Sequence, residues 1–311
     1  MRVVFLGTPD FAVASLDAIM HSEHEVVGVV TVPDRQAGRG QKVVYSPVKQ
    51  YALDHRLPLL QPERLRDPEF LEALAVLRAD IFVVVAFRML PEAVWNMPPH
   101  GTFNLHASLL PAYRGAAPIN WAIIRGEQRT GVTTFLLNHH IDEGNILLQA
   151  ETPIAPDDTA GTLHDRLADI GRTLVVRTLD ALDAGTLTPT PQQGTASTAP
   201  KIFKDDTRID FRQPGKRVVD FVRGLAPYPA ATLTLRSPDG DEVPFKIFDV
   251  AYSPCEKATP GTLQSDGKTF IKIAVTDGFV SILSLQMSGK RKNSVEEFLR
   301  GKNITGWELT V

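Results

Sequence analysis

Asn104 and His106 stand two residues apart in the run Gly101–Ser108, and Asp142 follows within the segment His140-Ile-Asp-Glu-Gly144. The run reads as a strand, and side chains two apart on a strand share a face, so the amide and the imidazole project to one side. An amide N–H can hold an oxygen that gains charge and an imidazole can carry a proton, but the pair alone does not name a reaction. Residue type alone leaves a plainer account open. Polar side chains near a strand end are commonly satisfied by backbone groups, and an aspartate before a glycine commonly caps a turn. Other chemistries find less support. His139 and His140, if on a strand, would face opposite ways, and no cysteine pair or Glu-x-x-His spacing accompanies them, so no metal site is expected. Ser108 lacks the Gly-x-Ser-x-Gly elbow of a serine hydrolase.

The elements that would hold these residues follow from pattern. The 311 residues, 43% hydrophobic and 22% charged, are enough for two domains of ordinary globular composition. Arg2–Leu6 is an apolar run ending in Gly7, followed by Thr8-Pro9-Asp10 and apolar residues at helical spacing, which predicts a buried strand, a turn and a helix with Thr8 as N-cap. Val26–Val32 and Ile81–Phe87 are further β-branched runs, with a helical stretch near Pro68–Leu77 between them. Alternating strands and helices imply an α/β, Rossmann-like, mostly parallel sheet. Only the first glycine of the dinucleotide fingerprint is present after the first strand, so no nicotinamide or flavin is expected. Thr186–Pro200 is polar and proline-punctuated and reads as a linker. Beyond it, short alternating runs at Ala231–Arg236, Val243–Val250, Phe270–Val275 and Val280–Gln286 predict an antiparallel β-barrel of OB-like type. The expected division is 1–185, a linker 186–202, and 203–311. A single cysteine, Cys255, excludes an internal disulfide, and the longest apolar run is far short of a membrane span. A cytoplasmic, monomeric protein with no membrane partner is expected.

Net charge is −3, but residues from Phe203 onward carry 16 basic against 14 acidic side chains, leaving 17 against 22 in the rest. The C-terminal part is mildly basic, which permits a polyanionic partner without demanding one.

The joined segments Asn104-Leu-His-Ala-Ser-Leu-Leu-Pro111 and Asp142-Glu-Gly144 resemble the signature of the folate-dependent formyltransferases. The opening Phe5-Leu-Gly-Thr-Pro-Asp-Phe11, the stretch from Pro33-Asp-Arg-Gln-Ala-Gly-Arg-Gly40 to Ser46-Pro-Val-Lys49, Tyr113-Arg-Gly-Ala-Ala-Pro118 and Ser288-Gly-Lys-Arg-Lys292 extend that likeness over nearly the whole chain. They are similar to the branch of the family that formylates methionyl initiator tRNA. One departure stands out: the family usually has Gly-Leu-Asp-Thr-Gly where this chain has His140-Ile-Asp-Glu-Gly144, so Glu143 places a second titratable group beside Asp142.

The resemblance implies catalytic roles for Asn104, His106 and Asp142, with Asp142 set against His106. It implies 10-formyltetrahydrofolate as formyl donor, held by Phe87, Arg88, Met89 and Leu90 together with Ser108, Leu109, Leu110, Pro111, His139 and His140. It further implies contact of Arg35, Arg39 and Lys42 with the tRNA acceptor stem, and makes Lys290, Arg291 and Lys292 a phosphate contact on the barrel. By composition alone the first of these basic segments is a solvated loop and the second a solvated turn. A formyltransferase acting on a sugar amine or other small amine would share the three catalytic residues, but the arginine-rich loop and basic barrel argue against it. Against a noncatalytic RNA-binding protein that kept only the barrel stands the intact set Asn104, His106 and Asp142. Since the catalytic residues precede the linker, a chain ending near Pro200 is expected to keep the folate site.

Overall fold

The computed structural model describes residues 1–37, 42–255 and 259–310. The chain falls into two units, one of Met1–Pro118, Arg129–Thr152 and His164–Ala199, the other of Ile119–Gln128, Pro153–Leu163 and Pro200–Val311.

In the first unit, strands β1 (Arg2–Gly7), β2 (Glu25–Val30), β5 (Leu59–Leu60), β6 (Ile81–Val85), β7 (Thr102–His106), β8 (Arg129–Leu136) and β9 (Ile146–Pro153) form one sheet in the order β5-β2-β1-β6-β7-β8-β9. The pairs from β5 through to β7 are parallel, and β8 runs antiparallel to β7. Val3–Leu6 and Ile81–Val85 are buried throughout, as expected of central parallel strands covered on both faces. A short antiparallel hairpin, β3 (Arg35–Ala37) with β4 (Lys42–Val44), stands apart from that sheet. Helices α1 (Asp10–Met20), α2 (Pro47–Asp54), α3 (Pro68–Val76) and α4 (Glu92–Trp95) connect the strands. The chain builds outward from β1 through β2 to β5 and then returns to the other side of β1 at β6. The reversal between β1 and β6 is the kind of switch point at which open α/β sheets bind ligands, beyond the C-terminal strand ends.

Two expectations change here. Thr8 is not the N-cap of α1: Pro9 occupies that position without a side-chain cap bond, and the Thr8 hydroxyl is buried with no partner. Pro9 has no N–H to leave unpaired, and Asp10 in the first turn complements the helix dipole, so the start is served without a capping hydroxyl. The third apolar run also ends early, at Val85, because Ala86 takes a positive φ of 48° and turns the chain before Phe87.

In the second unit, β10 (Ala231–Arg236), β11 (Glu242–Pro254), β12 (Leu263–Ser265), β13 (Ile271–Val275), β14 (Gly278–Met287), β15 (Asn293–Ser294) and β16 (Glu308–Leu309) build an antiparallel barrel sheet in the order β12-β13-β14-β11-β10-β16, with β15 on β14. Alternation is clear in β10, where Ala231, Leu233 and Leu235 are buried and the residues between them are not. Helix α7 (Gly215–Leu225) adds Val218, Val222 and Leu225 to this core, and α8 (Val295–Gly301) adds Phe298 and Leu299. Ile124, from α5 (Pro118–Ile124), is buried in the same core, with Trp121 packed beside it. A 24-residue helix, α6 (Ala160–Asp183), has no counterpart among the sequence expectations.

Candidate active site

Strand β7 presents Asn104 and His106 on one face, as their spacing requires. His106 is 6% exposed, and its Nε2 lies 2.9 Å from the Tyr113 carbonyl oxygen. A carbonyl only accepts, so Nε2 carries a hydrogen and donates it. Nδ1 is then the nitrogen free to take up a proton, and it faces the Asp142 carboxylate at 3.8 Å. Asn104 Oδ1 is buried without a hydrogen-bond partner. A buried orphan acceptor is uncommon and is expected where a ligand completes the site.

The chain after β7 is tied to β8. Ser108 Oγ donates to the Ala112 carbonyl at 2.5 Å; Thr133 Oγ1 donates to the Ser108 carbonyl at 2.7 Å and accepts from Leu110 N at 3.1 Å. Gln149 Nε2 donates to both the Leu110 carbonyl and Thr133 Oγ1. Gly115 has φ 123°, and a side chain there would meet the Ala199 carbonyl oxygen at 2.7 Å, so only glycine fits. Its N–H donates to Asp142 Oδ2 at 2.8 Å.

Asp142 comes from the loop between β8 and β9. That loop starts beside Thr102, where Leu137 N donates to the Thr102 carbonyl, and runs along β7 to His106. Asp142 takes a positive φ of 55°, which Asp tolerates better than most residues. Gly144 is required by close approach: a Cβ there would lie 1.5 Å from the Leu136 carbonyl oxygen. Glu143 turns outward and pairs with Arg114 Nη1 at 2.7 Å. The guanidinium also donates through Nε and Nη2 to Gln192 Oε1, while Gln192 Nε2 donates to the carbonyls of Asp142 at 2.8 Å and Gly144 at 3.0 Å. Gln192 belongs to the polar, proline-punctuated stretch. That stretch is bonded along its length: Thr190 exchanges two backbone bonds with Ile146, Ser197 Oγ accepts from Tyr113 N, and Ala199 exchanges bonds with Arg114 and Ala117.

The remaining residues named from sequence are distributed as follows. Phe87, Arg88, Met89 and Leu90 follow β6, the strand beside β7. Arg88 donates to the carbonyls of Pro62 and Glu63, its Nε is buried without a partner, and burial lowers its pKa. Met89 is 71% exposed, whereas Leu90 packs into the core with Leu74 and Val94. Ser108 and Leu110 are buried, Leu109 and Pro111 partly so. His139 and His140 lie in an exposed bend rather than on a strand; His139 packs edge-on against Trp95 at 5.2 Å, and His140 N donates to Asn138 Oδ1. His139 Nε2 lies 3.7 Å from a Glu92 carboxylate oxygen.

Arg35 is exposed on β3. The base of that hairpin is anchored by Asp34, whose carboxylate receives Lys49 Nζ at 2.6 and 2.8 Å and Gln61 Nε2 at 2.9 Å. Lys42 lies on β4, and Arg39 lies outside the described residues. In the second unit Lys290, Arg291 and Lys292 are exposed between β14 and β15, with Lys292 Nζ 4.6 Å from the centre of the Phe248 ring. Among the described residues no helix is long and apolar enough to cross a membrane.

Residues 1–179 match the family described as formyl transferase, and residues 201–303 match the formyl transferase C-terminal domain. The chain is 54% identical over 311 residues to the methionyl-tRNA formyltransferase of Bacteroides fragilis, covering 98% of this chain and 96% of that one. It is 48% identical over 304 residues to the corresponding protein of Flavobacterium johnsoniae, covering 97% and 96%. Its fold is shared with HypX from Aquifex aeolicus in complex with tetrahydrofolic acid (TM-score 0.64, 21% identity, 97% of this chain and 48% of that one). It is shared too with the N-formyltransferase of Helicobacter canadensis in complex with folinic acid and dTDP-3-aminofucose (TM-score 0.63, 19% identity, 94% and 100%). The chain belongs to the formyl transferase family.

Proposed function

We propose that this formyl transferase moves the formyl group of 10-formyltetrahydrofolate to the free amino group of methionyl initiator tRNA. The observation that carries the reading is the full-length likeness to methionyl-tRNA formyltransferases, joined to a His106–Asp142 pair and to Asn104, which shares the strand face of His106 and whose Oδ1 has no partner. The folate donor suits the residues present: Arg88 Nε and Asn104 Oδ1 are buried polar atoms without partners, and Met89 offers an exposed apolar side chain beyond β6.

When bound, the donor supplies a formyl carbon attached to a nitrogen able to leave. Asn104 donates its amide N–H to the formyl oxygen as negative charge gathers there. His106 Nδ1 takes the proton released by the attacking amine and returns it to the departing nitrogen. Asp142, at 3.8 Å, stabilises the imidazolium in between, while the Tyr113 carbonyl fixes the ring through Nε2. One C–N bond forms, one breaks and one proton changes nitrogen, so the balance closes without a metal. Residues 1–185 carry the reacting side chains and residues 203–311 take the RNA, with 186–202 between them in sequence. Arg35, Arg39, Lys42 and Lys290–Lys292 contact phosphates, and the protein works as a cytoplasmic monomer.

The test is incubation with 10-formyltetrahydrofolate and either charged initiator tRNA or an amino sugar nucleotide. Formylated methionyl-tRNA is expected; formylation of the sugar amine alone would replace this reading with the small-amine one. In the same protein, tRNA affinity should fall steeply with salt, because each neutralised phosphate releases counterions. The slope should shrink when Lys290, Arg291 and Lys292 are made neutral. An unchanged slope would remove that turn from the RNA contact.

A further inference from the structure

The Asp142 carboxylate stands where it does because of the turn that carries it, and that turn is held from two sides. On one side Gly144 presses against the Leu136 carbonyl at a distance no side chain permits. On the other, the Gln192 amide donates to the carbonyls of residues 142 and 144, the two that flank Glu143. Gln192 is in turn oriented by two N–H groups of Arg114 on its Oε1, and the last branch of that guanidinium grips Glu143 itself. Three hydrogen bonds thus join residues 192 and 114 to a three-residue turn, and two more join them to each other. With φ at 55°, small rotations of the Asp142 backbone swing its side chain relative to His106.

We propose that Gln192 is a positioning residue for Asp142: its side-chain amide fixes the 142–144 turn and thereby the carboxylate facing His106 Nδ1. The inference rests on the formyl-transfer reading only for its kinetic consequence. Displacement of a reacting or stabilising group by about 1 Å can cost roughly a hundredfold in rate without loss of substrate binding. The polar stretch after α6 therefore contributes to the site, and Glu143 is the anchor that recruits Arg114 to the same clamp.

Gln192→Glu separates positioning from mere packing. It keeps volume and keeps an acceptor for Arg114, but it replaces the N–H donors with oxygen facing two carbonyl oxygens. Gln192→Ala removes both functions, and Gln193→Glu at the exposed neighbour controls for added charge. Three quantities are to be measured on the full chain: kcat and KM for donor and for charged tRNA, the melting temperature, and the imidazole ¹⁵N shifts of His106, which report what each ring nitrogen faces. Gln192→Glu and Gln192→Ala should lower kcat by about 10- to 100-fold with both KM values within about threefold, and should move the His106 Nδ1 signal. Gln193→Glu should do neither. A Gln192→Glu protein with wild-type kcat and unmoved His106 signals would overturn the assignment, as would a loss confined to melting temperature. If the wild-type chain formylates no tRNA, the functional reading fails, while the His106 signals still decide whether Gln192 positions Asp142.

Discussion

The hydrogen on His106 Nε2 follows from its partner, since the Tyr113 carbonyl can only accept. That leaves Nδ1 as the basic nitrogen and directs it at Asp142 rather than at the backbone. The consequence is testable side chain by side chain. His106→Ala and Asn104→Ala should each lower the formylation rate by about a hundredfold or more, the range for a lost proton carrier or oxyanion donor. Turnover near wild type in either folded variant would remove it from the chemistry. Asp142→Asn should cripple turnover with donor affinity largely kept, because the amide oxygen can still accept from Gly115 N while the charge beside His106 is gone. Calorimetry on the donor decides this: affinity collapsing along with rate would make Asp142 a binding residue. The three residues differ in how they can be read from sequence. Asn104 and His106 follow from the two-residue period of a strand. Asp142 reaches them through a loop whose path no periodicity encodes, so only the resemblance pointed to it. Gln192 gave no signal, because its polar, proline-broken surroundings describe a solvated linker equally well.

Glycine and the hairpin base show how whole elements hold these groups. Gly144→Ala must push the β8–β9 loop away from Leu136, since a Cβ 1.5 Å from a carbonyl oxygen cannot be absorbed by side-chain motion. The expected result is a destabilised protein whose remaining folded fraction has lost most activity; full activity with an unchanged melting temperature would contradict the close approach. At the hairpin formed by β3 and β4, the Lys49 hydrogen bond, then that of Gln61, lowers the Asp34 pKa against a smaller opposing effect of burial. A folded pKa below the unfolded value of about 3.9 means the anchor is fully present above that pH and is lost as pH falls through the folded value. Titration of the Asp34 carboxyl carbon by NMR should therefore show a midpoint below about 3.9, rising toward it in Lys49→Ala. An unshifted midpoint in the native protein would show the pair to be broken in solution. Legibility at this scale followed burial. β1, β6 and β10 announced themselves as apolar or alternating runs, and β10 matches its expected bounds. β8 interrupts its apolar residues with threonine and glycine, and the edge strand β9 mixes apolar with polar and charged residues, so neither strand presented a clean run, whereas α6 buries Leu163, Leu167, Leu174 and Leu179 at helical spacing and its period was legible.

The molecule as a whole does not divide where its composition changes. Residues 119–128 and 153–163 precede the polar stretch in sequence, yet they belong to the second unit. Ile124 is buried among Val218, Val222 and Leu225; Asn120 Nδ2 donates to the Gly224 carbonyl, and Trp121 Nε1 to that of Pro200. Gly161 N donates to the Ala226 carbonyl, and Arg223 donates to the carbonyls of Ala155 and Asp158. Cutting the chain at Pro200 removes the partners of both insertions. Exposing Ile124 alone costs about 1.5–3 kcal/mol of burial, and Trp121 and the orphaned polar groups add to it. Against a total stability of roughly 5–15 kcal/mol, that loss is large enough to decide folding. The expectation from sequence, that a chain ending near Pro200 keeps the folate site, is therefore reversed. Such a chain should express poorly, melt without cooperativity and bind the donor at least about tenfold more weakly than the full protein, since α5 leads directly into β8 and the second insertion joins β9 to α6. Urea denaturation followed by circular dichroism, with donor titration on the same sample, checks it. A cooperative transition with full-strength donor binding would show that the first unit folds alone and that residues 119–128 and 153–163 tolerate exposure.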